Sequence, residues 1–214
     1  SNHPAPFLAY INRGDSVVIS ASPELFFRIE GDRIVTSPIK GTRPRGADAD
    51  DDARLRNELA RSPKDRAENT MIVDLARNDL GRICLTGSVE VPEFCTVESY
   101  ASVHHLVSTV RGQLAPRITP TDVICACFPG GSMTGAPKVE AMKAIAEAER
   151  TPRGIFSGAI GWIGDDGAMD LNILIRTLTV RGGEIGFRTG AGIVADSDPE
   201  AELMETRAKA RGVL

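Results

Sequence analysis

The chain has 214 residues, of which 42% are hydrophobic and 25% are charged, a composition typical of a folded globular protein and not of a disordered one. The net charge of −4 gives no basic surface, so we expect no nucleic-acid partner. No apolar run is long enough to span a membrane, no signal-peptide pattern opens the chain, and the four cysteines lack zinc-finger spacing, so we expect a cytoplasmic protein with reduced thiols and no membrane partner.

Short apolar runs separated by turn residues predict β-strands at both ends of the chain and in its middle. The predicted strands cover residues 7–11, 16–20, 25–29, 33–39, 88–91, 103–110, 155–163, 169–180 and 184–189. Asp166-Gly167 and Gly182-Gly183 are typical of tight hairpin turns, which join antiparallel strands.

Helices are predicted between these strands. The clearest begins after Ser62, an N-cap residue followed by Pro63 in the first turn, and should end near Gly81. Other helices are predicted to begin near residues 48, 119, 137 and 198. Helices mixed with antiparallel strands indicate the α+β class, and we expect one domain over residues 1–214: a mostly antiparallel two-sheet sandwich flanked by helices.

Two pairs of carboxylates have the i, i+3 spacing that puts both on one face of a helix: Asp65 with Glu68, and Glu202 with Glu205. Either pair alone is equally typical of a solvated helix surface. If the two helices converge, however, the four carboxylates would form the hard-oxygen site that magnesium prefers. The sequence therefore indicates a candidate magnesium site that depends on the fold.

A lysine and two glycine-rich loops are the other candidate functional features. Lys40 ends an apolar strand, and such a lysine is either half-buried in a site or extends to solvent at a strand edge. The loops at residues 130–132 and 190–192 come near Lys138 and Arg176, and free N–H groups beside cations can bind carboxylates. The second loop also has dinucleotide-fingerprint spacing, but no second βαβ strand follows, so we predict no nicotinamide site.

Eight motifs occur in order along the chain. They are Ser-Pro-Glu at 22–24, Pro-Ile-Lys-Gly-Thr at 38–42, Asp-Arg-Ala-Glu-Asn at 65–69, Val-Asp-Leu-Ala-Arg-Asn-Asp-Leu at 73–80, His-His-Leu-Val-Ser at 104–108, Pro-Gly-Gly-Ser-Met-Thr-Gly-Ala-Pro-Lys at 129–138, Ile-Arg-Thr at 175–177, and the stretch 190–205. Together they resemble the chorismate-utilising enzymes, a family that includes anthranilate, aminodeoxychorismate, isochorismate and salicylate synthases. The resemblance implies a two-sheet α+β fold, magnesium, and chorismate as substrate.

Lys40 distinguishes the branches of this family. Anthranilate synthases have alanine at this position of the motif, whereas aminodeoxychorismate synthases use the lysine as a covalent nucleophile. The resemblance thus implies amination of chorismate at C4 to 4-amino-4-deoxychorismate, with ammonia from a glutamine amidotransferase subunit. Two alternatives stay open: anthranilate synthase component I, which would release pyruvate, and a binding fragment that turns nothing over.

The resemblance also implies roles for single residues. Glu24 would protonate the departing C4 hydroxyl, Lys40 would attack the ring, and His105 would stand beside the ring, unless it is simply a buried histidine of its strand. Magnesium would be held by Glu68 and Glu205, with Asp65 and Glu202 in the same acidic cluster. The substrate would be contacted by Gly41, Thr42, Ser132, Trp162, Arg176, Gly190, Ala191 and Gly192.

Two departures from the family pattern qualify these expectations. Trp162 stands where many relatives have a tyrosine, so we expect a wall of the substrate site without a phenol hydroxyl. The chain also lacks the N-terminal half of family members, so we expect an incomplete sandwich, self-association and weak or absent activity. Pro6, Phe7 and Leu8 resemble one wall of an effector pocket whose other wall lies in that half, so we expect no tryptophan binding.

Overall fold

The computed structural model describes residues 5–195 and 197–211. The strands in this part of the chain are β1 (Phe7–Asn12), β2 (Ser16–Ser22), β3 (Leu25–Glu30), β4 (Arg33–Ser37), β5 (Ile39–Pro44), β6 (Glu90–Ser99), β7 (Val103–Gln113), β8 (Ala159–Ile163), β9 (Met169–Ile173), β10 (Thr177–Arg181) and β11 (Glu184–Phe187). The helices are α1 (Ala49–Arg61), α2 (Pro63–Gly81), α3 (Pro120–Cys127), α4 (Gly131–Thr134), α5 (Lys138–Ala148) and α6 (Pro199–Arg211). Of these helices, none combines the length and apolarity needed to cross a lipid bilayer.

The strands form two antiparallel sheets. The small sheet has the order β1-β2-β10-β11, and the large sheet has the order β5-β7-β4-β3-β9-β8, with β6 paired to β7. Because β7 is 11 residues long, one of its edges pairs with both β4 and β5 while the other pairs with β6. The predicted α+β class with mostly antiparallel sheets is confirmed.

Two of the predicted strands are each divided in the structure. Pro38 separates β4 from β5 within the predicted strand 33–39, because proline has no N–H group to donate to a ladder. The predicted strand 169–180 is interrupted at residues 174–176, where the chain leaves the large sheet and enters the small one. A continuous apolar run therefore serves two different sheets.

Two other strand boundaries also differ from the prediction. β6 continues to Ser99, well beyond the predicted 88–91, and it accommodates Pro92 because an edge strand leaves one side of its backbone unpaired. The predicted strand 155–163 begins only at Ala159, after a turn that holds Ser157 at a φ of 70°.

Helix α2 packs against β5 and β7 of the large sheet. It begins as predicted, with the Ser62 side chain accepting a hydrogen bond from the backbone N–H of Asp65. Farther along, Ile72, Val73 and Leu80 are buried, and Val73 and Leu80 belong to the main core. Each such aliphatic side chain contributes about 1.5–3 kcal/mol when fully buried. Packing at this end holds the helix to the sheet, so the first turns of α2 have a fixed position relative to β5.

The chain crosses between the two sheets at two neighbouring places. One crossing, residues 23–24, joins β2 to β3, and the other, residues 174–176, joins β9 to β10. The backbone N–H of Ala21 donates to the Arg176 carbonyl at 3.1 Å, and the N–H of Ile173 donates to the Glu24 carbonyl at 3.0 Å. Glu24 and Arg176 therefore lie together at the junction of the sheets.

One face of the small sheet is apolar and largely exposed. Tyr10 lies opposite Ile19, Ile19 lies opposite Leu178, and Val180 lies opposite Ile185, so these five side chains project from the same face. Tyr10 and Ile185 are each 67% exposed. This set is called the small-sheet face below.

Candidate active site

Lys40 lies at the centre of the group that the sequence motifs predict. It is the second residue of β5, and its Nζ donates a long hydrogen bond of 3.4 Å to the main-chain oxygen of Ser132. A Cβ added to Gly192 would lie 3.6 Å from Lys40 Nζ and 3.8 Å from Glu68 Oε2. The loop at 190–192 therefore passes directly beside both side chains, and glycine leaves the space between them open.

Glu24 faces the same space from the first sheet crossing. Its side chain is buried, and burial raises the pKa of its carboxyl group, while the Ser132 hydroxyl, the Lys40 ammonium and the Ile39 backbone act in the opposite direction. Because burial is the largest of these effects, the pKa of Glu24 is raised, which is the direction that a general acid requires.

Gly41 and Thr42 continue β5 past the lysine. Gly41 has a φ of 87°, and a Cβ there would come within 2.9 Å of the side chains of Asp65 and Leu59, so no other residue fits. The next residue, Thr42, shares a hydrogen bond of 2.9 Å with Nδ1 of His105 on β7. Glycine thus lets β5 approach α2 closely, and the pairing of β5 with β7 brings in the histidine.

His105 is buried and neutral near pH 7. Burial and the nearby Arg176 guanidinium lower the pKa of His105 to about 4, although a hydrogen bond with the Gly41 backbone acts in the opposite direction. The ring also contacts Tyr100 edge-on, with 5.7 Å between the ring centroids. His105 is therefore a buried, hydrogen-bonded histidine of its strand that lies near Arg176, and its place beside a substrate ring stays a prediction.

Arg176 is the least satisfied cation of this group. It lies in the second sheet crossing with a φ of 49°, and its guanidinium makes no hydrogen bond or ion pair with any residue in 5–195 or 197–211. An Arg side chain offers five donors in a planar fork that matches a carboxylate. Arg176 can therefore receive an anionic ligand without breaking an internal contact.

The two predicted acidic pairs do converge. Lys64 of α2 donates to Glu202 Oε1 of α6 at 2.9 Å and lies 3.9 Å from Glu68 Oε1. Burial raises the pKa of Glu68, whereas the hydrogen bond from Lys64 lowers the pKa of Glu202. The remaining two carboxylates also face cations, because Asp65 lies 3.3 Å from Arg43 and Glu205 lies 2.6 Å from Lys209.

The donor set suits a magnesium ion in its chemistry, since all four groups offer hard carboxylate oxygens. Glu202 Oε2 is buried and makes no hydrogen bond to the residues that the structure describes, so one oxygen is free to take a ligand. No three carboxylate, imidazole or thiolate groups of the described ranges are already gathered around one point, however. Instead, a lysine or arginine occupies the space beside each carboxylate, and a metal ion would have to displace it.

The second glycine loop is tied to α6 as well as to Lys40. Lys209 donates to the carbonyl oxygen of Gly190 at 3.2 Å. Ala191 and Gly192 follow without entering a helix or strand. The loop thus lies between Lys209 of α6 and Lys40 of β5.

Trp162 is not brought to this group. Its side chain is 57% exposed and lies opposite Asp170, which in turn lies opposite Arg28 of β3. These residues form the outer face of the large sheet, because the alternating positions Phe27 and Ile29 face the core next to α2. The expected substrate wall at Trp162 is therefore on the wrong side of the sheet.

The expected effector wall lies at the edge of the small sheet. Phe7 and Leu8 open β1, which is an edge strand; Pro6 just precedes it, and Leu8 is 75% exposed. None of the three contributes to the group around Lys40. Two residues that do contribute, Lys64 and Lys209, were missed by the sequence reasoning, although each stands four positions from a predicted metal ligand on the same helix.

The whole chain, residues 1–214, matches the family model described as chorismate binding enzyme. It is 50% identical over 212 residues to an aminodeoxychorismate synthase of Streptomyces pristinaespiralis, covering 99% of this chain and 30% of that protein. It is 48% identical over 214 residues to anthranilate synthase component 1 of Thermus thermophilus, covering 100% of this chain and 46% of that protein. The structure of anthranilate synthase component I from Streptococcus pneumoniae TIGR4 superposes with a TM-score of 0.88 at 40% identity, covering 98% of this chain and 46% of that one. The chain thus spans less than half the length of each of these relatives.

Proposed function

The chain belongs to the chorismate-binding enzyme family, and from that premise we propose that it aminates chorismate at C4, forming 4-amino-4-deoxychorismate through an adduct on Lys40. The observation that carries the proposal is that a lysine amine and a buried carboxyl both lie next to Ser132. Lys40 donates a hydrogen bond to the main-chain oxygen of Ser132, and Glu24 lies beside its hydroxyl. A nucleophile and an acid held together can act on two positions of one small ring.

The first step forms a bond between Lys40 and the ring. Neutral Lys40 Nζ adds at C2, the electron pairs of the two ring double bonds shift toward C4, and the C4 hydroxyl leaves as water with a proton from Glu24. In the second step ammonia adds at C4, the double bonds shift back, and the Lys40 amine departs from C2. The Glu24 carboxylate takes a proton from the incoming nitrogen, so chorismate and ammonia give the amino product and water.

The anionic groups of chorismate require matching donors. We assign the Arg176 guanidinium to a carboxylate, because its donors are free. The Thr42 hydroxyl, which is paired with His105, and the backbone of the 190–192 loop beside Lys40 would supply the remaining carboxylate contacts. His105 is neutral, so it adds no charge beside a bound carboxylate, and its hydrogen bond holds the Thr42 hydroxyl in place.

Glu68 and Glu205 would hold magnesium, with Asp65 and Glu202 beside them. The ion would offset negative charge on the ring carboxylate as the ring electrons rearrange. Support comes from the convergence of α2 and α6 and from the free buried oxygen of Glu202. Ammonia would come from a separate glutamine amidotransferase subunit, an inference supported by two relatives that are named as components.

Anthranilate synthesis is the second candidate, because the similarity to anthranilate synthases is almost as high as that to the aminodeoxychorismate synthase. One assay separates the two. The full-length protein is incubated with chorismate, ammonium and magnesium, and products are followed by mass spectrometry and by a coupled pyruvate assay. We expect an amino product that keeps its enolpyruvyl group and no pyruvate; equal amounts of anthranilate and pyruvate would establish the second candidate instead.

A further inference from the structure

The segment 128–137, which includes the short helix α4 and is called the Ser132 loop below, touches both proposed reacting side chains. The main-chain oxygen of Ser132 accepts a hydrogen bond from Lys40, and the Ser132 hydroxyl lies beside the Glu24 carboxyl and acts to lower the pKa of that group. The position of this one residue therefore sets the spacing between nucleophile and acid. What holds the loop in place is thus part of the catalytic geometry.

The glycines of this loop pack closely against β9 and α2. A Cβ on Gly130 would come 2.7 Å from Ile173 Cδ1 of β9, and one on Gly131 would come 2.5 Å from Leu75 Cδ2 of α2. A larger residue at either position would therefore have to push the Ile173 or Leu75 side chain aside, so the two glycines let the backbone lie close to both elements.

The anchor at the start of the loop is Lys138. Its Nζ donates to the carbonyl oxygen of Cys127 at 2.7 Å and to Asp79 Oδ2 of α2 at 2.6 Å. The side chains of Lys138 and Asp79 are only 14% and 8% exposed, so this ion pair is largely shielded from solvent. Two of the three ammonium donors are therefore engaged by this chain itself, and Lys138 links α2 to the segment that precedes Ser132.

The same ion pair borders the acid. A cavity of about 30 Å³ is lined by Glu24, Thr36, Asp79 and Ser132 among apolar side chains. The Asp79 carboxylate lines the same cavity as Glu24, and its negative charge is balanced by Lys138 and Arg82. The other groups that face Glu24 are the cations Lys40 and Lys209.

We propose that Lys138 is a positioning residue for the amination: by joining Asp79 to the Cys127 carbonyl, it fixes the Ser132 loop and so the relative positions of Lys40 and Glu24. The proposal rests on the proposed function, because it assumes that these two side chains react. Buried ion pairs are often weak contributors to stability and can instead specify one conformation, which is the use inferred for this pair.

The test compares Lys138→Met with Lys138→Arg, and with Lys143→Met as the matched control, since Lys143 is an exposed lysine of the same helix that pairs only with Glu140. In the full-length protein we expect Lys138→Met to lower kcat about a hundredfold while KM for chorismate stays nearly constant, because misplacement by about 1 Å has that effect on rate. Lys138→Arg, which keeps the charge and donors, should recover part of kcat, and the control should match the wild type. A folded Lys138→Met protein with wild-type kcat, or one whose loss lies in KM alone, would overturn the proposal.

A second measurement needs no turnover and so stays informative if the proposed function fails. Amine-reactive labelling of Lys40, mapped by mass spectrometry without chorismate, should be faster in Lys138→Met than in the wild type, because the Ser132 oxygen no longer restrains Nζ. An unchanged labelling rate would contradict the positioning role. If Lys138→Met does not fold, the double variant Asp79→Leu/Lys138→Met replaces it, because this variant leaves no unpaired buried carboxylate. The expected changes in kcat and in the labelling rate are the same.

Discussion

Lys64 Nζ of α2 lies 2.9 Å from Glu202 Oε1 of α6, and this contact joins the two helices that carry the acidic cluster. The same ammonium lies 3.9 Å from Glu68, so one internal cation stands between carboxylates of both helices. Such a cation reduces the repulsion between the carboxylates of the two helices. It also occupies the region where a divalent ion would have to bind.

The first prediction concerns that ion. Glu68→Gln and Glu205→Gln should each abolish magnesium-dependent turnover while the far-ultraviolet circular dichroism stays unchanged, because hard cations require charged oxygen ligands. Glu140→Gln, on the exposed face of α5, is the control and should behave as the wild type. Calorimetric titration with magnesium gives the readout that does not depend on turnover. Full activity of Glu68→Gln or Glu205→Gln at the magnesium concentration that suffices for the wild type would show that the residue is not a metal ligand.

The second prediction concerns the nucleophile. Mass spectrometry of the full-length protein with chorismate and no ammonia should show an adduct on Lys40, and Lys40→Ala should show none. With ammonia present, the alanine variant should lose the 4-amino product and, if it turns over at all, form the 2-amino isomer, because C2 becomes the most direct target. Near-normal formation of the 4-amino product by Lys40→Ala would leave the lysine with an electrostatic role only.

The third prediction separates activity from stability at Glu24. Glu24→Gln should lower kcat by about 10²–10⁴-fold, the usual contribution of a general acid. The variant should nevertheless unfold at a higher temperature than the wild type at neutral pH. The folded pKa of Glu24 lies above the ordinary 4.5, so ionisation of the buried carboxyl costs stability as pH rises above 4.5, and glutamine avoids that cost. Thermal unfolding from pH 4 to pH 8 checks this, with Glu200→Gln as an exposed control. A wild type with a higher unfolding temperature than Glu24→Gln at pH 8 would contradict the prediction.

The fourth prediction follows from neutral His105. Its folded pKa of about 4 lies below the ordinary 6.5, so the unfolded chain binds the proton first as pH falls. The free energy of unfolding should therefore drop by about 3 kcal/mol between pH 6.5 and pH 4 in the wild type relative to His105→Gln. Urea unfolding of both proteins across this range gives the difference. Parallel pH dependences for the two proteins would show that the imidazole does not titrate as stated.

The fifth prediction concerns the small-sheet face. Exposed apolar side chains on one sheet face favour association, so the 214-residue polypeptide should self-associate with rising concentration. Tyr10→Lys combined with Ile185→Lys should reduce the mass measured by light scattering, because a buried unpaired charge is costly. Trp162→Lys is the matched control on the outer face of the other sheet. A strictly monomeric parent polypeptide would refute the prediction.

Local rules in the sequence predicted some parts of the site well. Ser62 and Pro63 fix where α2 begins, and helical spacing then places Asp65 and Glu68 on one face, as the structure has them. The same spacing rule could have identified Lys64, which is four positions before Glu68. These features depend on neighbouring residues only, and the sequence contains them directly.

Features that depend on the path of the chain were not predictable in this way. A motif match gives the position of Trp162 along β8, but the pleat decides its face, and that face points away from Lys40. The division of the strand at 174–176 depends on Arg176 at a φ of 49°, a conformation that no sequence rule assigns to arginine. Both outcomes are set by tertiary packing.

The contact between Lys64 and Glu202 can form only after both helices have been synthesised, and α2 is made well before α6. The two residues are 138 positions apart, so at about 5–20 residues per second the ribosome adds the second roughly 7–28 s after the first. Throughout that interval α2 presents its carboxylates without the helix that completes the cluster. A nascent chain interrupted before α6 would already contain Lys40 and Glu24 but not Glu202 and Glu205, so the acidic cluster is complete only once α6 has been synthesised.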